Sequence, residues 1–149
     1  MTDYALLSEQ LRALTQGVPH FVANLANASA LLWHSMADLN WAGFYLMEDG
    51  QLVLGPFQGK TACIEIPVGK GVCGTAVAQK ATQLVPDVHQ FPGHIACDCA
   101  SNSEIVVPIF KNGEVVAVLD IDSPSLGRFD ETDRAGLEQF VKVLEETVF

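Results

Sequence analysis

The chain has 149 residues, 49% of them hydrophobic, and carries 18 acidic against 8 basic residues for a formal net charge of −10. This composition is typical of a globular protein and excludes a disordered one, while the length predicts a single domain over residues 1–149. The negative charge disfavours binding to nucleic acid or to an anionic membrane surface. No apolar stretch approaches the roughly 18 residues of a membrane-spanning helix, and the first residues do not resemble a secretory signal, so we expect a cytoplasmic protein.

The first part of the chain predicts two helices followed by a β-hairpin. Apolar spacing indicates a helix over residues 4–16. One face of this helix is expected to contain Leu6, Leu7, Leu11 and Leu14. A second helix over residues 20–37 is apolar nearly all round, as expected of a helix packed on a sheet. Strands are predicted over residues 40–46 and 51–57, joined by a Glu-Asp-Gly turn.

Short elements and a long loop follow the hairpin. Short strands are expected at residues 63–66 and 83–85, on either side of a small helix at residues 72–79. Residues 86–100 contain two prolines, a glycine and several polar side chains, which predicts an irregular loop. Long loops within compact domains are usually functional or mobile.

The last part of the chain predicts a second hairpin and a final helix. Strands over residues 103–110 and 114–122 flank Asn112-Gly113, the strongest short hairpin signal. A terminal helix starts at the acidic residues 130–133, where negative charge suits the helix N-terminus. The element order predicts an α+β fold with a mostly antiparallel sheet of about six strands. The terminal helices should pack on one face of the sheet, and a loop-rich pocket should lie on the other.

The four cysteines are confined to one central segment of the chain, and they are Cys63, Cys73, Cys97 and Cys99. Cytosolic cysteines are normally reduced, so a cluster of them indicates catalysis, redox sensing or metal binding. Structural zinc sites favour paired Cys-x-x-Cys motifs or such a pair with spaced histidines. Here the only tight pair is Cys97-x-Cys99, preceded by His94, so we predict no metal site. Cys73, at the start of the small helix, could instead be an inert core residue.

Three carboxylates are predicted to lie close together on one face of the sheet. Asp120 and Asp122 are two residues apart on a strand and therefore point to the same face. Glu104 lies on the strand paired with theirs through the Asn112-Gly113 turn. Acidic side chains directly after a strongly apolar strand require a functional reason, because carboxylates are seldom buried.

Several segments together resemble the free methionine-(R)-sulfoxide reductases, a family of enzymes built on a single GAF domain. They are NWAGFYL (40–46), LVLGPFQGKTAC (52–63), GKGVCGTA (69–76), VPDVHQFPGHIACD (85–98), SNSEIVVPI (101–109) and AVLDIDS (117–123). The resemblance covers nearly the whole chain. No single motif is decisive, but the combination of Cys63, Cys73 and Cys97 with GHIACD and LDID is specific.

The resemblance implies a role for each of these residues. Cys97, in GHIACD, corresponds to the nucleophile of the family, Cys63 to its resolving thiol and Cys73 to a secondary thiol. The substrate-binding residues of the family correspond to Trp41, Glu104, Asp120 and Asp122. Cys99 departs from the family pattern, and three roles are open for it: to replace Cys63, to form an off-pathway disulfide, or none. The implied partners are free methionine (R)-sulfoxide, thioredoxin as external reductant and a second copy of the chain in a homodimer, with no cofactor.

These residue types suit the reduction of a sulfoxide. The reaction needs a thiolate near the sulfur and an acid near the oxygen, and it leaves a cysteine sulfenic acid that a second thiol converts to a disulfide. Crowded carboxylates raise one another's proton affinity, so one of the three could be the acid while the others hold the substrate ammonium; the sequence does not assign these roles. The same carboxylates oppose a thiolate at Cys97, which either His94 or the arriving substrate would have to offset.

Two other functions fit a GAF-like chain. A sensor would bind a small ligand such as a cyclic nucleotide or a bilin. A cysteine redox switch would be oxidised without turning over a substrate.

Overall fold

The computed structural model describes residues 1–93 and 100–149, and within them the chain forms four α-helices around one sheet. The helices are α1 (Tyr4–Thr15), α2 (Phe21–Ser35), α3 (Gly71–Gln79) and α4 (Glu131–Thr147). The strands are β1 (Trp41–Glu48), β2 (Gln51–Gly59), β3 (Glu65–Pro67), β4 (Gln83–Val85), β5 (Ser103–Lys111) and β6 (Glu114–Ser123). A short 3-10 helix, Val88–Gln90, lies in the predicted loop.

The helix ends follow their capping residues. Asp3 caps α1, where its carboxylate accepts a hydrogen bond from the backbone N–H of Leu6. The predicted acidic start of the last helix is confirmed, because Asp130 and Asp133 form a reciprocal capping box at the N-terminus of α4. Helices α1 and α4 lie side by side, and the Tyr4 hydroxyl joins them by donating to Asp133 at 2.6 Å.

The sheet has the strand order β3-β2-β1-β6-β5-β4, and every neighbouring pair is antiparallel. This arrangement confirms the predicted α+β class and the predicted number of strands. The hairpin between β5 and β6 turns at Asn112 and Gly113, whose φ angles of 53° and 80° lie in the left-handed region.

One detail of the prediction is wrong. The strand predicted at residues 63–66 runs from Glu65 to Pro67, which leaves Cys63 in the preceding loop. On the predicted apolar face of α1, Leu7 and Leu11 are buried in the core, whereas Leu6 and Leu14 are 49% and 42% exposed. Leucine spacing marks the apolar face of a helix but not which of its residues are covered.

The two faces of the sheet carry separate cores. On one face α2 and α4 cover alternate residues of the central strands, including Phe44, Ile105 and Leu119, and α1 packs on these two helices. On the other face α3 and the neighbouring loops cover the intervening residues, including Trp41, Tyr45 and Val118. This confirms terminal helices on one face and a loop-rich layer on the other. Among the described residues, none of the helices combines the length and apolarity needed to cross a bilayer.

Candidate active site

The strand register brings three of the predicted site residues into one row. Trp41 on β1 is the partner of Asp122 on β6, and Asp122 is the partner of Glu104 on β5. Directly paired residues of antiparallel strands have Cβ atoms about 4.5–5.5 Å apart on the same face. The carboxylates that the sequence places on paired strands are therefore neighbours, and the indole lies at the end of their row.

Asp120 occupies the next row of the same face. It pairs with Gly43 on β1 and with Val106 on β5. Asp120 and Glu104 are only 6% and 7% exposed, while Asp122 is half-buried. One oxygen of Asp120, Oδ1, is fully buried and makes no hydrogen bond with any described residue. A buried acceptor without a donor is costly to the fold, and it is well suited to receive a donor from a ligand.

Helix α3 carries Cys73 over these carboxylates. Gly74 allows the helix to approach β3 closely, because a Cβ atom at this position would lie 2.4 Å from the carbonyl oxygen of Pro67. Cys73 is buried and free, and its Sγ atom and one oxygen each of Glu104 and Asp120 all lie within 4.8 Å of one another. A divalent cation would find three ligand atoms in this cluster, but nothing in the donor set requires one, and the absence of a metal stays a prediction.

Burial and mutual repulsion shift the proton affinities of this cluster. Burial, followed by the charges of Asp120 and Asp122, raises the pKa of Glu104 well above its usual 4.5. Burial, followed by the charges of Asp120 and Glu104, raises the pKa of the Cys73 thiol well above its usual 9.0. The site therefore favours the protonated form of Glu104 over its carboxylate and the neutral thiol of Cys73 over its thiolate.

An aromatic stack forms the wall of the site next to the carboxylates. The Trp41 ring lies between Phe57 and Tyr45, with ring centroids 5.0 and 5.8 Å apart and small interplanar angles. Gly43 is required for this packing, since a Cβ atom there would lie 2.2 Å from the Cβ atom of Phe57. Trp41 is buried, and its indole N–H donates to the carbonyl of Lys60 at 3.1 Å. The site thus has one apolar side and one acidic side.

Of the thiols predicted to react, Cys63 and Cys73 lie within the described residues. Cys63 is half-buried, lies in the loop between β2 and β3, and is disulfide-bonded. Cys97 and Cys99 lie outside the described residues, as does His94. The structure therefore brings Trp41, Glu104, Asp120, Asp122 and Cys73 together on one face of the sheet.

Tyr45 belongs to this site and was not identified from the sequence. It shares the strand face of Trp41, is 2% exposed, and its hydroxyl donates to the backbone carbonyl of Cys63 at 2.9 Å. The period of two along β1 would have placed Tyr45 beside Trp41. The contact with Cys63 joins residues 18 positions apart, and no sequence pattern indicates it.

Comparisons with known proteins agree with this geometry. A family model described as "GAF domain" matches residues 29–146. The chain is 57% identical over 145 residues to the free methionine-R-sulfoxide reductase of Escherichia coli (strain K12), covering 97% of this chain and 88% of that protein. It is 58% identical over 148 residues to Protein YtsP of Bacillus subtilis (strain 168), covering 98% and 91%. A solved structure of fRMsr of Staphylococcus aureus in complex with substrate superposes with a TM-score of 0.95 at 53% identity, covering 100% of this chain and 97% of that one.

Proposed function

Because the chain belongs to the free methionine-R-sulfoxide reductase family of GAF-domain proteins, we propose that it reduces free L-methionine (R)-sulfoxide to L-methionine. The observation that carries this proposal is the row of Trp41, Asp122 and Glu104, with Asp120 and Cys73 beside it. A free amino acid sulfoxide offers a cationic ammonium, a basic sulfoxide oxygen and an apolar methyl group. The row offers carboxylates for the ammonium, a protonated carboxyl for the oxygen and an indole for the methyl group.

The first step in this proposal is attack by Cys97 on the sulfoxide. A carboxyl group donates a proton to the sulfoxide oxygen, the oxygen is transferred to the Cys97 sulfur, and methionine leaves. The cysteine is oxidised to a sulfenic acid as the sulfoxide is reduced. The raised pKa of Glu104 supports this residue as the proton source. The unpartnered Oδ1 atom of Asp120 supports Asp120 as an acceptor for the ammonium, together with Asp122.

The second step converts the sulfenic acid to a disulfide and water. We assign the resolving thiol to Cys63, and the disulfide at Cys63 together with the free thiol at Cys73 supports this assignment. Cys73 acts as a secondary thiol, held back by burial and by its raised pKa. Cys99 is an extra thiol that can substitute for Cys63. Thioredoxin would then reduce the disulfide by thiol–disulfide exchange through a mixed disulfide.

The remaining proposals concern the protein in the cell. We propose that residues 1–149 form a single GAF domain that acts in the cytoplasm without a bound cofactor. We also propose a homodimer, supported by the exposed side chains of Phe21 and Val22 on α2, which are 41% and 68% exposed.

Methionine release from each sulfoxide epimer tests the proposed reaction. Reduced protein is incubated with dithiothreitol and the separate R and S epimers of free methionine sulfoxide, with a sulfoxide-containing peptide as control. We expect turnover of the free R epimer alone. No turnover of any substrate, with the thiols shown to be reduced, would reject the reductase and favour a ligand sensor or a redox switch.

Two cysteine variants test the assigned roles. Cys97→Ser is expected to abolish turnover, because it removes the attacking sulfur. Cys63→Ser is expected to slow recycling while it spares the first methionine released by each chain. Full activity of Cys97→Ser would show that the nucleophile is assigned to the wrong residue.

A further inference from the structure

The loop that carries Cys63 is attached to the aromatic stack at two points. The indole N–H of Trp41 donates to the carbonyl of Lys60 at 3.1 Å, and the hydroxyl of Tyr45 donates to the carbonyl of Cys63 at 2.9 Å. Both donors come from β1, and both acceptors are backbone atoms of the segment between β2 and β3. We call residues 60–64 the Cys63 loop. The two contacts hold its start and the residue that bears the thiol.

The Cys63 loop has no regular secondary structure, and Ala62 and Cys63 pack against the apolar core on this face of the sheet. Residues 60–64 belong to no helix or strand, and Ile64 is 68% exposed. The backbone N–H of Leu54 donates to the carbonyl of Ile64 at 2.8 Å, which anchors the loop end beyond Cys63. The chain enters the loop at Gly59, whose φ of 133° and close approach to the Trp41 ring permit no side chain. Cys63 thus lies on a short, partly exposed segment, and the hydroxyl of Tyr45 is a side-chain group that holds its backbone carbonyl.

The surroundings of Tyr45 keep its hydroxyl a donor. Burial, followed by the negative charge of Asp120, raises the pKa of Tyr45, so the proton stays on the oxygen. A buried hydroxyl that loses its acceptor costs free energy. The carbonyl of Cys63 provides that acceptor in the form in which Cys63 is disulfide-bonded, which is the product of the proposed second step.

We propose that Tyr45 is a positioning residue for disulfide formation, which it serves by holding the backbone of Cys63 where the thiol reaches the oxidised nucleophile. This inference rests on the proposed function, with Cys97 as nucleophile and Cys63 as resolving thiol. In the step concerned, the S–O bond of the Cys97 sulfenic acid breaks and an S–S bond to Cys63 forms. The thiol proton of Cys63 leaves with the hydroxyl as water, so no external reductant is consumed.

Holding the Cys63 backbone can speed disulfide formation because a disulfide has a strict geometry. The Cα atoms of the two cysteines must come within about 7 Å with suitable Cβ directions. A loop held in that arrangement reacts faster than one that must find it, because the orientational entropy has been lost beforehand. A neutral hydrogen bond contributes about 0.5–1.5 kcal/mol, which corresponds to a rate effect of about two- to tenfold.

The test separates the two half-reactions in the variant Tyr45→Phe, which removes only the hydroxyl. Reduced protein is mixed rapidly with excess free methionine (R)-sulfoxide without a reductant, and methionine release and thiol loss are followed in the same samples. We expect one methionine per chain to be released, and we compare the rate of disulfide formation with the rate of methionine release in the same samples. Disulfide formation should slow by about two- to tenfold, and more sulfenic acid should be trapped by dimedone and detected by intact mass.

The matched control is Tyr4→Phe. It removes a hydroxyl that donates to Asp133 at 2.6 Å, between α1 and α4 on the helical side of the sheet, and both rates should stay at wild-type values. An unchanged rate of disulfide formation in Tyr45→Phe, or a slowing no greater than that of the first methionine release, would overturn the positioning role.

The variant Cys63→Ser separates this inference from the function on which it rests. If Cys63→Ser blocks disulfide formation while Tyr45→Phe does not slow it, only the positioning role fails. If Cys63→Ser forms a disulfide at the wild-type rate even when Cys99 is also replaced by serine, the resolving thiol itself has been misassigned. A wild-type protein that releases no methionine would reject the reductase activity.

Discussion

The two faces of the central sheet are built from alternate residues of the same strands and differ in what they bury. On β6, Leu119 faces α2 and α4 and is fully buried among apolar side chains. Its neighbour Asp120 faces α3 and is 6% exposed, with Glu104 and Cys73 within 4.8 Å. The helical face follows the ordinary preference for apolar burial, whereas the other face concentrates groups that are costly to bury.

The difference indicates where stability and activity reside. The helical face lowers the free energy of the folded state through close packing. The other face contains repelling carboxylates and an unpartnered carboxylate oxygen, which cost stability, and a buried thiol beside them. Such a group of titratable side chains suits chemistry. Substitutions on the two faces should therefore affect different properties of the protein.

The largest expected effect is that of Asp120→Asn on activity. It removes a buried charge that we assign to the substrate ammonium, so kcat/KM for the free R epimer should fall by about 10²- to 10³-fold. The free energy of unfolding should stay equal or rise, because a neutral amide replaces a buried carboxylate with an unpartnered oxygen. Steady-state kinetics and urea denaturation measure the two quantities. A marked loss of stability would contradict the contrast between the faces.

The adjacent substitution Leu119→Ala should have the opposite outcome. Leu119 is 0% exposed, and a leucine-to-alanine change in such a core costs about 2–5 kcal/mol of stability. The folded fraction should keep the wild-type kcat/KM at a temperature well below its melting transition. Urea denaturation with the same kinetic assay checks both expectations. Activity lost by the folded protein would mean that the two faces are mechanically coupled.

A smaller effect, on the pH dependence of stability, is expected for Glu104→Gln. The folded-state pKa of Glu104 is raised. The stability contributed by its protonated form is therefore complete below about pH 4.5, and it is lost as the pH rises toward the folded-state pKa. Glutamine cannot ionise, so the variant should gain stability relative to wild type as the pH increases. Urea denaturation over a pH series measures this difference. A difference independent of pH would show that Glu104 is ionised in the folded protein.

The smallest effect is expected for Asn112→Ala, at the turn of the β5–β6 hairpin and away from both faces. Asn112 has a φ of 53°, and an alanine in the left-handed region costs about 1–2 kcal/mol. Asn112→Gly is the matched control, since glycine adopts this conformation readily and should cost less. Thermal denaturation of both variants measures the difference, and kcat/KM should stay at the wild-type value in both. An equal loss in the two variants would point to the asparagine side chain instead of the backbone.

Most of the elements could be predicted from the sequence because their signals are local. Helix and strand periods, the Asn-Gly turn and the acidic start of α4 each depend on residues a few positions apart, and the structure confirms them. The combination of Cys63, Cys73 and Cys97 with the GHIACD and LDID motifs was sufficient to indicate the family. The pairing of Glu104 with the β6 acids followed from the same hairpin turn.

Other features depend on contacts between residues remote in the sequence, and only the tertiary structure decided them. The exposure of Leu6 and Leu14, the start of β3 after Cys63 and the contact of Tyr45 with the Cys63 backbone are of this kind. The sequence indicated a carboxylate cluster, but the assignment of the raised pKa to Glu104 required its burial between β6 and α3. By itself, the sequence determined which groups could react. Packing determined which of them are buried, neutral and held in place, because desolvation and charge repulsion act through distances in space and not along the chain.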